Sequence, residues 1–172
     1  MEEIWIKHVD LPEGGQEFSI ADQEIWLSGM DAHAMDCRCA GPLEAHLLIM
    51  PQERGFLLVG GLSGSIFMPC RRCAEDVEFP IGIHYEEFEG LDAEDGFPED
   101  ELVRDSPDGL LLNLSEFLWE QFVLALPDYI LCRNECRGLC AHCGSNLNEG
   151  LCACGVKDAD PRLESLRNLK LS

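Results

Sequence analysis

The residues of this chain best suited to chemistry are its ten cysteines, six of which lie between Cys132 and Cys154. That segment, CRNECRGLCAHCGSNLNEGLCAC, is otherwise rich in glycine, asparagine and small polar residues. It cannot bury enough apolar surface to hold one conformation by packing alone. Thiolates that close on a metal ion would supply the missing stabilisation. Four thiolates in a tetrahedral arrangement form a closed structural zinc site, with no open position for a substrate.

The tightest metal-binding signal is the pair Cys140 and Cys143 in the sequence CAHCG. A spacing of two residues lets both sulfurs surround one ion, and the glycine permits the tight turn that follows. The other two ligands would come from a neighbouring pair, which is either Cys152 with Cys154 downstream or Cys132 with Cys136 upstream. The sequence therefore predicts a zinc site in this segment and leaves the second pair open.

Clustered cysteines can also serve purposes other than binding zinc. A disulfide cluster would need an oxidising compartment, and the N-terminus MEEIWIKHVD shows no secretory signal. A thioredoxin-like dithiol also uses the CxxC spacing, but no βαβ pattern precedes this one, and six cysteines exceed what a redox pair needs. An iron–sulfur centre or inert thiols are the remaining alternatives.

The other four cysteines form two short pairs in the first half of the chain, Cys37 with Cys39 and Cys70 with Cys73. If neighbouring strands or turns bring these pairs together, they would form a second four-thiolate metal site. The alternative is that Cys70 and Cys73 are ordinary turn residues and that Cys37 and Cys39 point to opposite faces of a strand.

The 172 residues carry a formal net charge of −21, and this charge is unevenly distributed. Residues 1–132 contain 6 Lys/Arg against 28 Asp/Glu, whereas residues 133–172 contain 6 against 5. Such a body repels phosphate backbones and attracts basic partners. Any RNA contact is therefore expected in the 133–172 tail, whose basic residues are Arg133, Arg137, Lys157, Arg162, Arg167 and Lys170. No apolar run approaches the length of a membrane span, so a soluble protein is expected.

The apolar pattern of the first half predicts short strands over residues 4–6, 18–20, 43–50, 56–67 and 77–85. Residues 22–29 are ambiguous between a strand and a helical turn, because their apolar residues are contiguous and fit neither period well. Glycines at positions 60, 61, 64 and 82 suggest bends or bulges in the sheet. The fold class predicted is α+β: a curled antiparallel sheet or partly open barrel packed by one or two helices, with a C-terminal cysteine-rich zinc-binding segment.

Two further segments complete the predicted organisation. Residues 86–108 contain 11 acidic residues and one arginine, which predicts an acidic, solvated loop. A helix is expected at about 114–126, with Asn113 as its cap and Pro127 as its end. Residues 1–131 would then form a β-rich body. Residues 132–172 would form the zinc knuckle, followed by a short C-terminal helix that starts at Asp160-Pro161.

Four motifs together point to a known family: CRRC at 70–73 before Phe79-Pro80, LALP at 124–127, GLCAHCGSNLN at 138–148 and DPRL at 160–163. In these motifs the chain resembles the bacterial YceD family of large-ribosomal-RNA accumulation proteins. The resemblance spans most of the chain, and the segment 138–148 is its most specific part. It implies a cytoplasmic, non-enzymatic role in ribosome biogenesis. Cys37 and Cys39 depart from the family's usual pattern.

No catalytic arrangement is visible, so no enzymatic activity is expected. The histidines show no triad or zinc-hydrolase spacing with other residues; they are His8, His33, His46, His84 and His142. The function expected is a factor that supports large-subunit ribosomal RNA, through a basic large-subunit ribosomal protein or an assembly intermediate. The alternative is a thiol redox or metal-relay protein that uses the surplus cysteines.

Overall fold

A computed structural model of the chain describes residues 3–91 and 102–154. In these residues, two antiparallel sheets pack with two helices, which confirms the predicted α+β class. The elements in chain order are β1 Trp5–Lys7, a 3-10 turn at His8–Asp10, β2 Gln16–Ile20, α1 Glu24–Ala32, β3 Arg38–Cys39, β4 Glu44–Gln52, β5 Gly55–Pro69, β6 Asp76–Gly90, β7 Val103–Ser106, β8 Gly109–Asn113 and α2 Leu114–Ala125.

The larger sheet is built around β5, which pairs along its whole length with β6. The other edge of β5 pairs first with β4, at residues 55–63, and then with β3, at residues 66–67. Strand β2 extends the sheet beyond β4. Gly64 lies where the partner changes, with φ +148, and a Cβ there would lie 2.7 Å from the Pro42 carbonyl oxygen. This is one of the bends that the glycines predict, because L side chains rarely adopt that conformation.

The core lies between one face of this sheet and the two helices. Every second residue of β4 and β5 points into it, among them Leu47, Ile49 and Phe56. Phe117 and Phe122 of α2 are fully buried on the opposite side. The smaller sheet, in the order β1-β8-β7, leads directly into α2. Neither described helix is long and apolar enough to cross a membrane.

The two helices differ in how clearly the sequence indicates them. Asn113 caps α2 as predicted, since its side-chain oxygen accepts a hydrogen bond of 3.2 Å from the Glu116 backbone N–H. The ambiguous segment 22–29 becomes α1, which begins after Asp22 accepts a hydrogen bond from the Glu24 N–H. Its contiguous apolar residues are divided between core and solvent: Trp26 is fully buried and Leu27 is exposed.

The predicted acidic loop is shorter than expected. Residues 86–90 continue β6, and residues 103–106 form β7. Backbone pairing of β6 with residues 55–59 of β5 does not depend on side-chain charge, so the acidic side chains of Glu86 and Glu87 project into solvent from a regular strand. The rest of the predicted loop, residues 92–101, lies outside the described residues, as does the helix predicted after Asp160-Pro161.

Candidate metal centres

Eight of the ten cysteines converge into two groups of four. Within each group, the four sulfur atoms lie within 4.8 Å of one another. The first cluster consists of Cys70, Cys73, Cys132 and Cys136. The second cluster consists of Cys140, Cys143, Cys152 and Cys154. Each cluster could therefore hold one metal ion.

A six-residue turn between β5 and β6 supplies half of the first cluster. The Cys70 N–H donates to the Glu75 carbonyl oxygen at 2.8 Å, and the Ala74 N–H donates to the Cys70 carbonyl oxygen at 2.9 Å. Ala74 has a φ of +61, in the left-handed region. This turn directs the sulfurs of Cys70 and Cys73 to the same side.

The second cluster repeats this turn. The Cys140 N–H donates to the Ser145 carbonyl oxygen at 2.8 Å, and the Gly144 N–H donates to the Cys140 carbonyl oxygen at 2.9 Å. Gly144 has a φ of +73 and takes the place that Ala74 has in the first turn. Each cluster thus combines one CxxC turn with a second pair of cysteines, which is spaced CxxxC in the first cluster and CxC in the second.

The backbone of the first turn holds the start of the second. The Leu139 N–H donates to the Arg72 carbonyl oxygen at 3.0 Å, and Arg72 Nη1 donates to the Cys136 carbonyl oxygen at 3.0 Å. Gly138 lies between these contacts with a φ of +73, and a Cβ there would lie 2.9 Å from the Arg72 carbonyl oxygen. Glycine is therefore required at position 138, both for its conformation and for the close approach.

The sequence Asn-Leu-Asn at 146–148 brings the second turn back to the first cluster. The Asn148 side-chain amide donates to Cys136 Sγ at 3.3 Å, and its oxygen accepts from the Arg137 N–H at 2.8 Å. The Asn146 amide donates to Glu75 Oε1 at 3.2 Å. These contacts explain the most specific motif of the sequence: its asparagines are not ligands but hold one cluster against the other.

Two sulfurs of the first cluster favour the thiolate form. Burial raises the pKa of the Cys70 thiol, but hydrogen bonds from the backbone, first that of Cys132, outweigh it and lower the pKa to about 6. The hydrogen bond from the Asn148 amide lowers the pKa of the Cys136 thiol. By contrast, desolvation of its sulfur and hydrogen bonds to the Cys136 and Cys73 sulfurs raise the pKa of the Cys132 thiol to about 12.

The second cluster shows the same division. Hydrogen bonds from the Ser145 hydroxyl and backbone lower the pKa of the Cys143 thiol to about 6. A hydrogen bond to the Cys143 sulfur raises the pKa of the Cys154 thiol to about 12. Cys140 and Cys152 divide likewise: the pKa of Cys140 is lowered by hydrogen bonds from its own turn, and that of Cys152 is raised by its hydrogen bond to Cys140. In each cluster, the pKa is therefore lowered for two of the four thiols and raised for the other two.

The donor set fits a tetrahedral four-thiolate metal ion. A Zn–S bond of about 2.3 Å places the sulfurs of a regular tetrahedron about 3.8 Å apart. The recorded Sγ–Sγ separations are 3.8 Å for Cys70 and Cys136, 3.6 Å for Cys73 and Cys132, and 3.4 Å for Cys140 and Cys152. A disulfide would require about 2.05 Å, and all ten cysteines are unbridged. The arrangement leaves no position for a substrate in either cluster.

The second site predicted from Cys37, Cys39, Cys70 and Cys73 does not form as a unit. Cys70 and Cys73 join Cys132 and Cys136 instead, and neither Cys37 nor Cys39 belongs to a cluster of the described residues. Cys39 lies opposite Ile66 on β5, four residues before Cys70, which is about 13 Å along an extended strand. Cys37 and Cys39 are partly buried against the main core, and burial raises the pKa of both thiols.

The structure also resolves which pair completes the CAHCG turn. Of the two alternatives left open by the sequence, it brings Cys152 and Cys154 to Cys140 and Cys143. The pairing of the first turn was missed because its partners lie 59 to 66 residues away. A usable signal was present: both CxxC pairs are followed by a small residue that accepts a left-handed conformation, Ala74 or Gly144.

Comparison with known proteins assigns the chain to a family. The family model described as "Large ribosomal RNA subunit accumulation protein YceD" matches residues 58–170, a range that includes both clusters but not Cys37 and Cys39. The chain is 30% identical over 59 residues to "Large ribosomal RNA subunit accumulation protein YCED homolog 1, chloroplastic" of Arabidopsis thaliana. That match covers 34% of this chain and 18% of the relative. No solved structure shows significant similarity to the chain. The chain belongs to the YceD family, as its cysteine and asparagine motifs indicated.

Proposed function

We propose that this protein is a non-enzymatic factor that supports the accumulation of large-subunit ribosomal RNA and acts in the reducing environment of the cytoplasm. The observation that carries the proposal is the family match over residues 58–170, which contains both cysteine clusters. The name of the matched family and that of the Arabidopsis relative both refer to large ribosomal RNA subunit accumulation. The four-thiolate sites offer no open position for a substrate.

Zinc is the metal we assign to both clusters. Four thiolates at tetrahedral separations suit Zn²⁺, and two tight turns with hydrogen-bonded sulfurs are typical of closed structural sites. When bound, the ion would supply cross-links that the polar 132–154 segment cannot obtain from packing. Cys70 and Cys73 would then fasten that segment to the β5–β6 turn, through the ion that they share with Cys132 and Cys136.

The partner we propose is a basic large-subunit ribosomal protein or an assembly intermediate that exposes one. A net charge of −21 favours such a partner over naked RNA. Direct contact with RNA would be limited to the 133–172 tail, where the basic residues outnumber the acidic ones. The thiol redox alternative would have to use Cys37 and Cys39, the pair outside the clusters. Their raised pKa values make them poor nucleophiles.

The test is a depletion and rescue experiment. Cells lacking the protein should show a lowered ratio of large-subunit to small-subunit ribosomal RNA. Expression of the wild-type chain should restore it, and so should a Cys39→Ser variant, whereas a Cys73→Ser variant should not. Captured complexes, treated with ribonuclease, should still contain basic large-subunit proteins. An unchanged RNA ratio in the depleted cells would refute the proposed function.

A further inference from the structure

The face of the large sheet that points away from the helices carries a concave row of residues. The register across β2, β4, β5 and β6 aligns Ser19, His46, Gly61 and His84 side by side. Ser19 Oγ and His46 Nδ1 share a hydrogen bond of 2.9 Å. Gly61 has no side chain, and the His84 ring lies over it, since a Cβ at Gly61 would lie 3.0 Å from His84 Nδ1.

His46, Gly61 and His84 line a groove of about 690 Å³ on the outer face. A second glycine, Gly82, widens it, since a Cβ placed at Gly82 would meet no atom within 4 Å. Val59, which is half-buried, contributes apolar lining. A smaller concavity lined by Glu17 and Leu48 continues across β4 and β2. The outer face thus offers a channel that crosses the strands.

The charge around this channel has one sign. Strands β2, β4, β5 and β6 contain no lysine or arginine, whereas they contain seven acidic residues. Three of the acidic residues project from the outer face beside or near the channel: Glu17, Glu44 and Glu86. Among the described residues, only Glu44 of these three is within ion-pair distance of another side chain, that of His46. Neither Glu17 nor Glu86 has a cationic side chain of the described residues within ion-pair distance.

We propose that this channel binds an extended lysine- and arginine-rich segment of a partner protein. The inference rests on the proposed function and specifies the surface that would carry it out. Aliphatic stems of the partner's basic side chains would lie over Val59 and in the space above Gly82. Their charged ends would reach Glu17 on one side and Glu86 on the other. An RNA strand does not fit the same surface, because its phosphates would face unpaired carboxylates.

The binding test uses the full chain and a fluorescently labelled peptide of ten residues in which lysine and glycine alternate. Gly82→Leu fills the channel without backbone strain, because Gly82 does not have a positive φ and has open space above it. It should weaken peptide binding at least about tenfold, which corresponds to about 1.4 kcal/mol. Glu17→Gln and Glu86→Gln should each weaken it about two- to fivefold.

Asp31→Asn is the matched charge control, since Asp31 is exposed on α1, on the opposite side of the sheet. It should leave the affinity within about 1.5-fold of wild type, since it removes one charge without touching the channel. Equal affinity of wild type and Gly82→Leu for the peptide, or equal losses of affinity in Asp31→Asn and Glu86→Gln, would contradict the proposal that the channel binds the peptide. So would tighter binding of a single-stranded RNA oligonucleotide than of the peptide.

A second comparison tests the channel and the proposed function separately. If ribonuclease-treated complexes of both wild type and Gly82→Leu contain basic large-subunit proteins, the channel is wrong and the function stands. If Gly82→Leu loses those proteins while Asp31→Asn retains them, both are supported. If neither wild type nor the variants retain them, and RNA ratios do not change on depletion, both fail.

Discussion

At the scale of single residues, Asn148 shows that the clusters depend on more than their ligands. Its side-chain amide donates a hydrogen bond to Cys136 Sγ, and its side-chain oxygen accepts one from the Arg137 N–H. The first contact favours the thiolate form of a ligand, and the second fixes the backbone that follows it. The spacing of the metal ligands does not identify such a residue, although Asn148 belongs to the motif NLN.

We therefore expect Asn148→Ala to weaken metal binding at the first cluster by about 10- to 100-fold, although all four thiolates remain. Competition with a chromophoric chelator measures this affinity. Asn134→Ala is the control, because Asn134 is an exposed asparagine between Cys132 and Cys136 of the same cluster. Equal affinities for the two variants would show that the Asn148 contact is incidental.

The thiol pKa values predict how the affinity for metal changes with pH. The pKa values of Cys70 and Cys143 are about 6, so between pH 6 and 8 these two sulfurs are already deprotonated. The pKa values of Cys132 and Cys154 are about 12, so binding must displace their protons. Lower pH therefore weakens binding, because protons compete with the metal for the sulfurs.

We expect log Kd to fall by at least about two units for each unit of pH increase above pH 6 at each cluster, because the two thiols of raised pKa in each cluster lose their protons on binding. Below pH 6 the slope should steepen towards about four, as the remaining thiolates also protonate. Chelator competition across this pH range gives the slope directly. A slope near zero at neutral pH would mean that the thiols are not the ligands.

At the scale of elements, the two tight turns have the same geometry but different consequences. The first turn joins the long β5–β6 hairpin to cysteines that are 59 to 66 residues away, whereas the second closes a local loop. The second turn also rests on the first, through Arg72, Glu75 and Cys136. Loss of the first metal site should therefore weaken the second, whereas loss of the second should leave the first intact.

We expect Cys143→Ser to lose one metal ion and to increase hydrogen exchange only in residues 139–154. Cys73→Ser should lose the first metal, weaken the second, and increase exchange throughout residues 130–154, while the sheets stay protected. Cys39→Ser should retain both metals. Metal analysis and hydrogen exchange measured together would decide the matter. Either of two results would contradict this hierarchy: an unaffected second metal site in Cys73→Ser, or identical exchange in Cys73→Ser and Cys143→Ser.

Elements were predictable where local pattern and tertiary packing agree. The alternation in β4 and β6 and the cap at Asn113 indicated their structures. The helix α1 could not be identified, because burial of Trp26 against α2 decides it rather than periodicity. The pairing of Cys70 with Cys136 depends on where the β5–β6 hairpin ends, which no local spacing encodes. The outer channel depends on strand register, which places Gly61 between two histidines.

At the scale of the whole molecule, charge is separated between two ends. Strands β2, β4, β5 and β6 of the large sheet contain seven acidic residues and no lysine or arginine, and Arg38 on β3 pairs with Asp76. Half of the eight lysines and arginines among the described residues belong to or adjoin the first cluster: Arg71, Arg72, Arg133 and Arg137. A basic partner would thus be guided to the sheet and away from the metal end.

Reversing three acidic residues, Asp95, Glu99 and Asp100, to lysine should slow association with a basic large-subunit protein and reduce its salt dependence. These positions lie outside the described residues, but long-range attraction requires only their charge. Stopped-flow association rates at several salt concentrations provide the measurement. An association rate that does not change, with the same salt dependence as wild type, would show that the charge of this segment does not steer the encounter.

The central claim is that eight cysteines form two metal sites that fasten the C-terminal segment to the β5–β6 hairpin. Native mass spectrometry of the intact chain, followed by alkylation and peptide mapping, tests it most directly. We predict two bound zinc ions and two cysteines that are unprotected by metal, Cys37 and Cys39, with all ten modified after chelation and unfolding. One bound metal ion, or metal-dependent protection of Cys37 and Cys39 in place of Cys132 and Cys136, would contradict the account.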